Sequence, residues 1–372
     1  MAMRLAAALR LLLVVVAAAR GAAGGGGAKV PAIFVFGDST ADVGNNDYLP
    51  GSSARANFPH NGVDFPGGKP TGRFSNGLIG VDFIAAAMGF SRSPPAYLSL
   101  IAIAANNSSN SSKTTMAAAA CMKGANFASG GSGVLDSTGT TINMTKQIEY
   151  FSDLKDQMST KLGADKVSTL LSKSIFLISA GGNDAFDFFS QNISPDSTAI
   201  QQFCEAVIST YDSHVKTLYN LGARKFAVIN VPLIGCCPYW RSQNPTGECI
   251  QPLNQLATRL NDEIWDLFND LSSQMQGMKY SIASSYELVS SLIEKPQAAG
   301  LEEVRSACCG GGKLNAEKGC TPSSSYCSDR SKFLFWDLLH PTQATSKFAG
   351  LVFYDGAARF VSPITFKQLV EE

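Results

Sequence analysis

The chain is poor in several features that would point to other functions. It has only three histidines in 372 residues, 16% of its residues are charged, and its formal net charge is zero. A neutral chain gives no electrostatic reason to expect a nucleic-acid or anionic-membrane partner. The cysteines do not repeat the CxxC pairs of a zinc site, and no Lys-Ser/Thr of a phosphate-binding loop follows the glycine-rich segment 126–133. We therefore predict no metal, no cofactor and no nucleic-acid partner.

The clearest long apolar run lies at the N-terminus. Arg4 precedes an apolar stretch over 5–19, and small residues follow as far as Ala23. The run is short for a transmembrane helix and no stop-transfer cluster comes after it, which disfavours an uncleaved anchor. An organelle transit peptide is disfavoured because the first serine is Ser39. We predict that residues 1–23 are a secretory signal peptide.

The rest of the chain has features of a secreted glycoprotein. Seven of nine cysteines lie between residues 236 and 327, among Gly/Pro-rich loops, so disulfides are favoured over a zinc site, and the odd count leaves at least one thiol free. Five glycosylation sequons are present. They begin at Asn106, Asn107, Asn110, Asn143 and Asn192. We expect an extracellular protein, with the endoplasmic reticulum or vacuole as alternatives.

Apolar runs alternate with helical patterns along the mature chain. Continuous apolar runs, typical of strands covered on both faces, occupy 32–36, 174–179, 225–231 and 279–283. Apolar residues at helical spacing occupy 145–162, 201–221 and 255–275. Loops are expected over 44–77, 99–120 and 305–331. The alternation predicts an α/β fold with a mostly parallel sheet and helices on both faces, and no linker divides residues 24–372, so we expect a single domain.

Ser39 directly follows the first predicted strand, in the sequence Gly37-Asp38-Ser39. In an open parallel sheet, functional sites gather at the carboxyl ends of the strands. A serine there is a candidate nucleophile, although this tripeptide is also typical of a simple turn. The Gly-x-Ser-x-Gly elbow of α/β-hydrolases is not met, because Ala41 stands where its last glycine would be.

Asp337 and His340 are three residues apart, near the other end of the chain. That spacing would place both on one face of a helical turn, where the carboxylate could orient the imidazole for taking a proton from a serine. The alternative is a capping aspartate beside a surface histidine. The other two histidines have no convincing ligand partners: we expect His60 in a surface loop and His214 in solvent.

Two further segments offer hydrogen-bond donors for an oxyanion. Asn183 follows the second predicted strand within 181–184, and Gly130 is followed by Gly131 in the segment 126–133. An amide side chain and a backbone N–H are both suitable donors. Each segment also has the composition of an ordinary turn.

Together these motifs closely resemble the plant GDSL esterase/lipase family of the SGNH hydrolases, over essentially the whole mature chain. The matching segments are Phe36-Gly-Asp-Ser39, Asp42-x-Gly-Asn-Asn46, 68–77, Asn126-Phe-Ala-Ser-Gly-Gly131, Gly182-Asn-Asp184, 221–226 and Phe335-Trp-Asp-x-x-His-Pro341. The resemblance implies a three-layer α/β/α sandwich. It also implies that Ser39 is the nucleophile, that His340 is the base and then the acid, and that Asp337 orients His340. The oxyanion hole would be the Ser39 N–H, the Gly130 N–H and the Asn183 side chain.

Cys236 and Cys249 also match family cysteines, which suggests a disulfide between them, whereas Cys237 is additional. The predicted function is a secreted, glycosylated serine ester hydrolase acting on lipids or acylated wall components, with no cofactor. Two alternatives remain open: an acyltransferase with the same triad, and a non-catalytic binding protein on the same fold.

Overall fold

The structure, a computed structural model, describes residues 27–52, 54–107, 121–191 and 194–372. The predicted signal peptide and the sequons at Asn110 and Asn192 lie outside the described residues.

A six-stranded sheet forms the centre of the fold. Its strands are β1 (Ile33–Gly37), β2 (Gly124–Asn126), β3 (Ile175–Ser179), β4 (Lys225–Ile229), β5 (Lys279–Ala283) and β10 (Val361–Ser362). Their order is β10-β5-β4-β3-β1-β2, and every neighbouring pair is parallel except β10 with β5. All four predicted strand runs form strands of this sheet. The 2-1-3-4-5 order is that of a doubly wound fold, whose ligand crevice opens between β1 and β3.

Eleven helices accompany the sheet in the described part of the chain. They are α1 (Gly80–Ala87), α2 (Tyr97–Asn107), α3 (Met144–Leu162), α4 (Ala164–Lys173), α5 (Gly182–Gln191), α6 (Ser197–Asn220), α7 (Pro238–Gln243), α8 (Gln251–Gln274), α9 (Ser285–Glu294), α10 (Gln343–Asp355) and α11 (Phe366–Glu371). The three predicted helices correspond to α3, α6 and α8, each within four residues at its ends.

Alternation along β1 separates two apolar layers. Phe34 and Phe36 pack on one face with α3, α6 and α8, whereas Ile33 and Val35 pack on the other with α1, α9, α10 and α11. All four side chains are essentially inaccessible to solvent. Because successive strand residues point to opposite faces, a continuous apolar run is what a sheet covered on both sides requires. The result is the three-layer α/β/α sandwich.

The structure corrects the expectation of a loop over 99–120 as far as residue 107, and the remainder, 108–120, lies outside the described residues. Residues Tyr97–Asn107 form α2. The polar, Asn- and Ser-rich end of this segment suggested a loop, but its first half is rich in Leu, Ile and Ala, which favour a helix. The predicted loops 44–77 and 305–331 contain short elements: a 3₁₀ turn at Asn45–Tyr48, the end of β6 (Glu303–Ala307), and the two-residue strands β7 (Cys309–Gly310) and β8 (Ser325–Tyr326). Just beyond them, β9 (Phe333–Phe335) pairs with β6.

Three disulfides stabilise the C-terminal half. They are Cys236–Cys249, Cys308–Cys327 and Cys309–Cys320. The first is the pairing suggested by the resemblance, and all three agree with the preference for disulfides over zinc. The unpaired cysteines are Cys121, Cys204 and Cys237, all of them buried.

No helix within the described residues has both the length and the apolar character needed to cross a bilayer.

Candidate active site

Ser39 lies in a tight turn directly after β1. The N–H groups of Ala41 and Asp42 both donate to the Asp38 carbonyl, and the N–H of Thr40 donates to the Asp38 carboxylate at 2.8 Å. This side-chain-to-backbone bond is the Asx turn that aspartate favours. The Ser39 N–H, in contrast, has no acceptor within the described residues. The turn therefore fixes Ser39 at the carboxyl end of β1 and leaves the Ser39 N–H without an acceptor in the described residues.

Ser39, His340 and Asp337 form one hydrogen-bonded chain. Ser39 Oγ lies 2.8 Å from His340 Nε2. On the other side of the ring, His340 Nδ1 lies 2.8 and 2.9 Å from the two carboxylate oxygens of Asp337. The sequence prediction had grouped these three residues from opposite ends of the chain, and the fold brings them together. The arrangement is that of a nucleophile, a base and an orienting carboxylate.

Asp337 also organises the backbone that carries His340. Its Oδ1 accepts the N–H groups of Leu339 at 2.9 Å and of His340 at 2.8 Å. Residues 336–339 form a bend and not the helical turn that the spacing suggested. The carboxylate supplies the contacts that a helix would otherwise have made, so the expected capping role and the expected orienting role belong to the same side chain.

The disulfide-linked segment fixes the segment that contains Asp337 and His340. The N–H of Cys308 donates to Phe335, that of Cys309 donates to Trp336, and that of Trp336 donates to the His340 carbonyl. The Trp336 indole is fully buried, and its N–H donates to Asn61 Oδ1 at 2.8 Å. Neighbouring disulfides at Cys308 and Cys309 therefore restrain the backbone that positions His340.

Asn183 is the second residue of α5, just past β3, and lines the same cavity as Ser39. One of its side-chain N–H groups donates to the Ser132 carbonyl at 2.8 Å. A carboxamide has two N–H groups, so the second remains available to a ligand. The sequence prediction of an amide donor near Ser39 agrees with this position.

The resemblance implies that the Gly130 N–H donates to an oxyanion, but in the structure this N–H has another partner. Its N–H donates to Asp42 Oδ2 at 3.0 Å, so that donor is occupied. The N–H of Gly131, the next residue, has no acceptor within the described part of the chain. Gly130 also has a steric role, because a Cβ at this position would lie 2.5 Å from the Phe74 ring, which itself stacks 5.0 Å from the His340 ring. The role of the Gly130 N–H therefore stays a prediction.

Three buried carboxylates connect the loops around Ser39. Asp38 accepts from Thr40, Asp42 accepts from Gly44, Asn45 and Gly130, and Asp184 accepts from Val134, Leu135 and Thr138. Burial raises the pKa of Asp38 and of Asp42 to about 6, although these hydrogen bonds oppose it. Burial likewise raises the pKa of Asp184. The sequence alone does not mark these residues as buried structural groups, since an aspartate in a glycine-rich motif is equally typical of an exposed turn.

Gln147 is a second supporting residue without a sequence signature. This fully buried side chain on α3 accepts the Gly37 N–H at 2.8 Å and donates to the Gly37 carbonyl at 2.9 Å. Gly37 has φ +136°, and a Cβ there would lie 2.0 Å from the Ser179 carbonyl. Only glycine permits this close approach of β1 and β3 immediately before Ser39.

The electrostatics of the pair favour an imidazole that holds its proton strongly. Burial lowers the pKa of His340, but the charge of Asp337 and its hydrogen bond outweigh burial, so the net shift is upward. Burial likewise acts to raise the pKa of Asp337, but the charge and hydrogen bond of His340 hold it below the usual value. The carboxylate thus stabilises the imidazolium that forms when His340 accepts a proton.

The Cys237 thiol also lies on the cavity wall. Its Sγ lies 3.8 Å from the Leu339 carbonyl, and burial raises the pKa of the thiol to about 12. A thiol needs to ionise to act as a nucleophile. Ser39, which has a base at hydrogen-bonding distance, is therefore the better candidate.

The other two histidines lie apart from Ser39. His60 stacks 4.8 Å from the Tyr326 ring and is partly buried. The expectation that His214 is solvated is wrong: it is buried on α6, with Nε2 3.1 Å from Thr145 Oγ1. The His214 side chain faces α3 and not water. Within the described residues, no group of three or more His, Cys, Asp or Glu side chains is arranged to hold a metal ion.

The chain matches a known protein family over most of its length. The family model for GDSL-like lipase/acylhydrolase matches residues 33–352. The chain belongs to this family. Among Arabidopsis thaliana proteins, GDSL esterase/lipase At5g55050 is 38% identical over 350 residues, which is 92% of this chain and 90% of that protein. GDSL esterase/lipase At4g16230 is 34% identical over 92% of this chain and 91% of its own length. The predicted resemblance and fold class are thereby confirmed.

The ion pair gives a direct test of the site's electrostatics. We expect His340 to titrate above the usual histidine pKa of about 6.5. Asp337→Asn should lower the pKa of His340, because burial then acts with little opposition. The measurement is an NMR titration of the imidazole Cε1–H signals. His214, whose pKa burial lowers, is an internal reference that should not change. A His340 pKa unaffected by the substitution would contradict the assigned charge coupling.

Proposed function

We propose that this member of the GDSL family is a serine carboxylic-ester hydrolase whose catalytic residues are Ser39, His340 and Asp337, within a single domain over 24–372. The observation that carries the proposal is the continuous hydrogen-bonded chain from Ser39 Oγ through His340 to Asp337. The relatives named as esterases or lipases support the same reaction class. The substrates would be neutral esters of lipids or of acylated wall components, and no cofactor takes part.

Acylation follows from the positions of the three side chains. His340 Nε2 takes the proton of Ser39 Oγ as the oxygen attacks the ester carbonyl carbon, and the carbonyl electron pair moves onto its oxygen. When the tetrahedral intermediate collapses, the bond to the leaving oxygen breaks. His340 then gives that oxygen the proton, so the alcohol leaves neutral and the acyl group stays on Ser39.

Deacylation repeats the steps with water. His340 takes a proton from water as the water oxygen attacks the acyl carbon, and it returns the proton to Ser39 Oγ as the carboxylic acid departs. Asp337 holds the imidazole with Nδ1 protonated, which leaves Nε2 free to accept in both half-reactions.

The developing oxyanion would be held by the Ser39 N–H and the Asn183 side chain. The first has no other acceptor in the described residues, and the second has one uncommitted N–H. Gly130 would be the third donor, once its N–H breaks the hydrogen bond to Asp42 and donates to the oxyanion instead. Such donors act most strongly where charge develops in a site that excludes water.

The N-terminal segment, sequons and disulfides support secretion as part of the proposal. The sequon residue Asn143 caps α3. Its Oδ1 accepts a hydrogen bond from the Lys146 N–H at 2.9 Å at the start of that helix. The cap uses the oxygen, so the side-chain nitrogen remains available for a glycan. An extracellular location is the proposed destination.

Labelling tests the nucleophile. A fluorophosphonate probe should modify the purified mature protein at Ser39 alone, because His340 activates this hydroxyl. Peptide mapping by mass spectrometry locates the adduct, and Ser39→Ala is the control that should take no label. A folded wild-type protein that remains unlabelled, or a label on another serine, would overturn the proposal.

Asn183→Ala tests the oxyanion assignment. The loss of one donor should reduce kcat about 10²–10³-fold with a small change in KM, because the interaction strengthens in the transition state. Steady-state kinetics give the split, and thermal unfolding checks that loss of the bond to Ser132 has not unfolded α5. Near-normal kcat in a stable variant would remove Asn183 from the proposed mechanism.

Asn143→Asp tests secretion through glycosylation. Aspartate retains the helix cap but cannot accept a glycan. We expect protein recovered from the medium of producing plant cells to begin at residue 20 or 24, and to lose one glycosidase-sensitive mass step in this variant. N-terminal sequencing that finds residues 1–23 still attached, or a wild type without glycans, would count against the secretory proposal.

A further inference from the structure

An apolar cavity opens beside Ser39 and His340. It extends between the carboxyl ends of β3 and β4 and the helices α5, α9 and α10. The wall away from the two polar residues is formed by Phe186, Val231, Leu233, Val289, Ala349 and Phe353. No lysine or arginine of the described chain lines it. Apart from His340, no side chain of the lining can balance the charge of an anionic substrate.

Most polar side chains on this wall are already engaged. Asn230 Oδ1 accepts the Ser285 N–H at 2.9 Å, and Thr345 Oγ1 donates to the Leu334 carbonyl at 2.9 Å. Ser346 Oγ is a buried neutral hydroxyl without a partner in the described residues. A wall of this kind stabilises an occupant by removing apolar surface from water and offers it little polar recognition.

The order of product release identifies which half of an ester fits there. In the proposed mechanism the alcohol leaves first, while the acyl group stays bonded to Ser39 until water attacks. A group held in the cavity is the part of the substrate that can remain during deacylation. An alcohol in the cavity would have to leave past the acyl group that is bonded to Ser39.

The size of the cavity limits the chain. Its volume is about 160 Å³. An apolar cavity of roughly 150 Å³ accommodates benzene, which corresponds to about six carbon atoms. The cavity therefore matches an acyl chain of about that length, and a longer chain would have to extend beyond its wall.

Resting on the proposed function, we propose that this cavity is the acyl-chain site and that Val289 on α9 limits chain length. The substrate class is then an ester of a neutral, apolar acyl group of about six carbons. Val289 lines the cavity but is only partly buried, so a larger side chain can be introduced with less disturbance than at the buried Leu288.

The test is acyl-chain selectivity in variants of α9. We would measure kcat/KM for p-nitrophenyl acetate, hexanoate and dodecanoate, and for acetates of alcohols of increasing length. The wild type should prefer hexanoate. Val289→Phe should reduce the hexanoate-to-acetate ratio at least tenfold, and Val289→Ala should move the preference toward dodecanoate. Ile293→Phe, one turn further along α9 and outside the cavity, is the matched control and should keep the wild-type profile.

Each failure has its own signature. If the wild type hydrolyses none of the esters and takes no label at Ser39, the proposed function fails and this inference fails with it. If acetate turnover is intact but both Val289 variants keep the wild-type acyl profile, the acyl assignment alone is overturned. A change confined to the alcohol-length series would assign the cavity to the leaving group and would also overturn it. Val289→Ala keeps the test decisive if Val289→Phe does not fold.

Discussion

The hydrogen bond between Ser39 Oγ and His340 Nε2 is the constraint on which the site depends. It joins residues 301 positions apart at 2.8 Å, so two distant segments must each be rigid. Ser39 is fixed by the strand pairing of β1 with β3 and by the turn around Asp38. His340 is fixed by the Asp337 carboxylate and by a backbone segment bonded to the disulfide-linked Cys308 and Cys309. Rigid support of this kind is what a catalytic hydrogen bond requires, because a displacement of about 1 Å is costly to the reaction.

Buried polar groups provide much of this rigidity, but burying them costs free energy. An unpaired carboxylate or amide in the interior costs several kcal/mol, so each must find partners. The Asp42 carboxylate accepts hydrogen bonds from the N–H groups of Gly44, Asn45 and Gly130. The Asn45 side chain donates to the carbonyls of Asn126 and Ala128. These contacts connect the loop that follows β1 with the segment at the end of β2. Their specificity explains how loops of such open composition hold one geometry.

The sequence predicted the sheet and the Ser39–His340–Asp337 grouping better than it predicted the contacts between loops. Continuous apolar runs report burial on both faces directly, and so the strands containing Phe34 and Phe176 could be recognised. The hydrogen-bond partner of the Gly130 N–H could not be recognised from the sequence, because the contact depends on how the loop that contains Asp42 folds over Gly130. His214 was misplaced for a related reason: helical periodicity gives a face, but not whether another helix covers that face. The bend at Asp337 replaced a helical turn because a carboxylate can satisfy two backbone N–H groups by itself.

Reaction type and substrate choice are carried by different parts of this fold. In the proposed mechanism, Ser39 after β1 is the nucleophile, Asn183 after β3 is an oxyanion donor and His340 is the base, and the fold brings these side chains to one cavity. The apolar wall beyond the end of β4, with Val289 and Ala349 from two other helices, determines what else fits there. These wall residues make no hydrogen bond to the triad, so they can change without disturbing it. A family with one chemistry can thus act on many acyl groups, and the acyl group is better inferred from the wall residues than from the catalytic motifs.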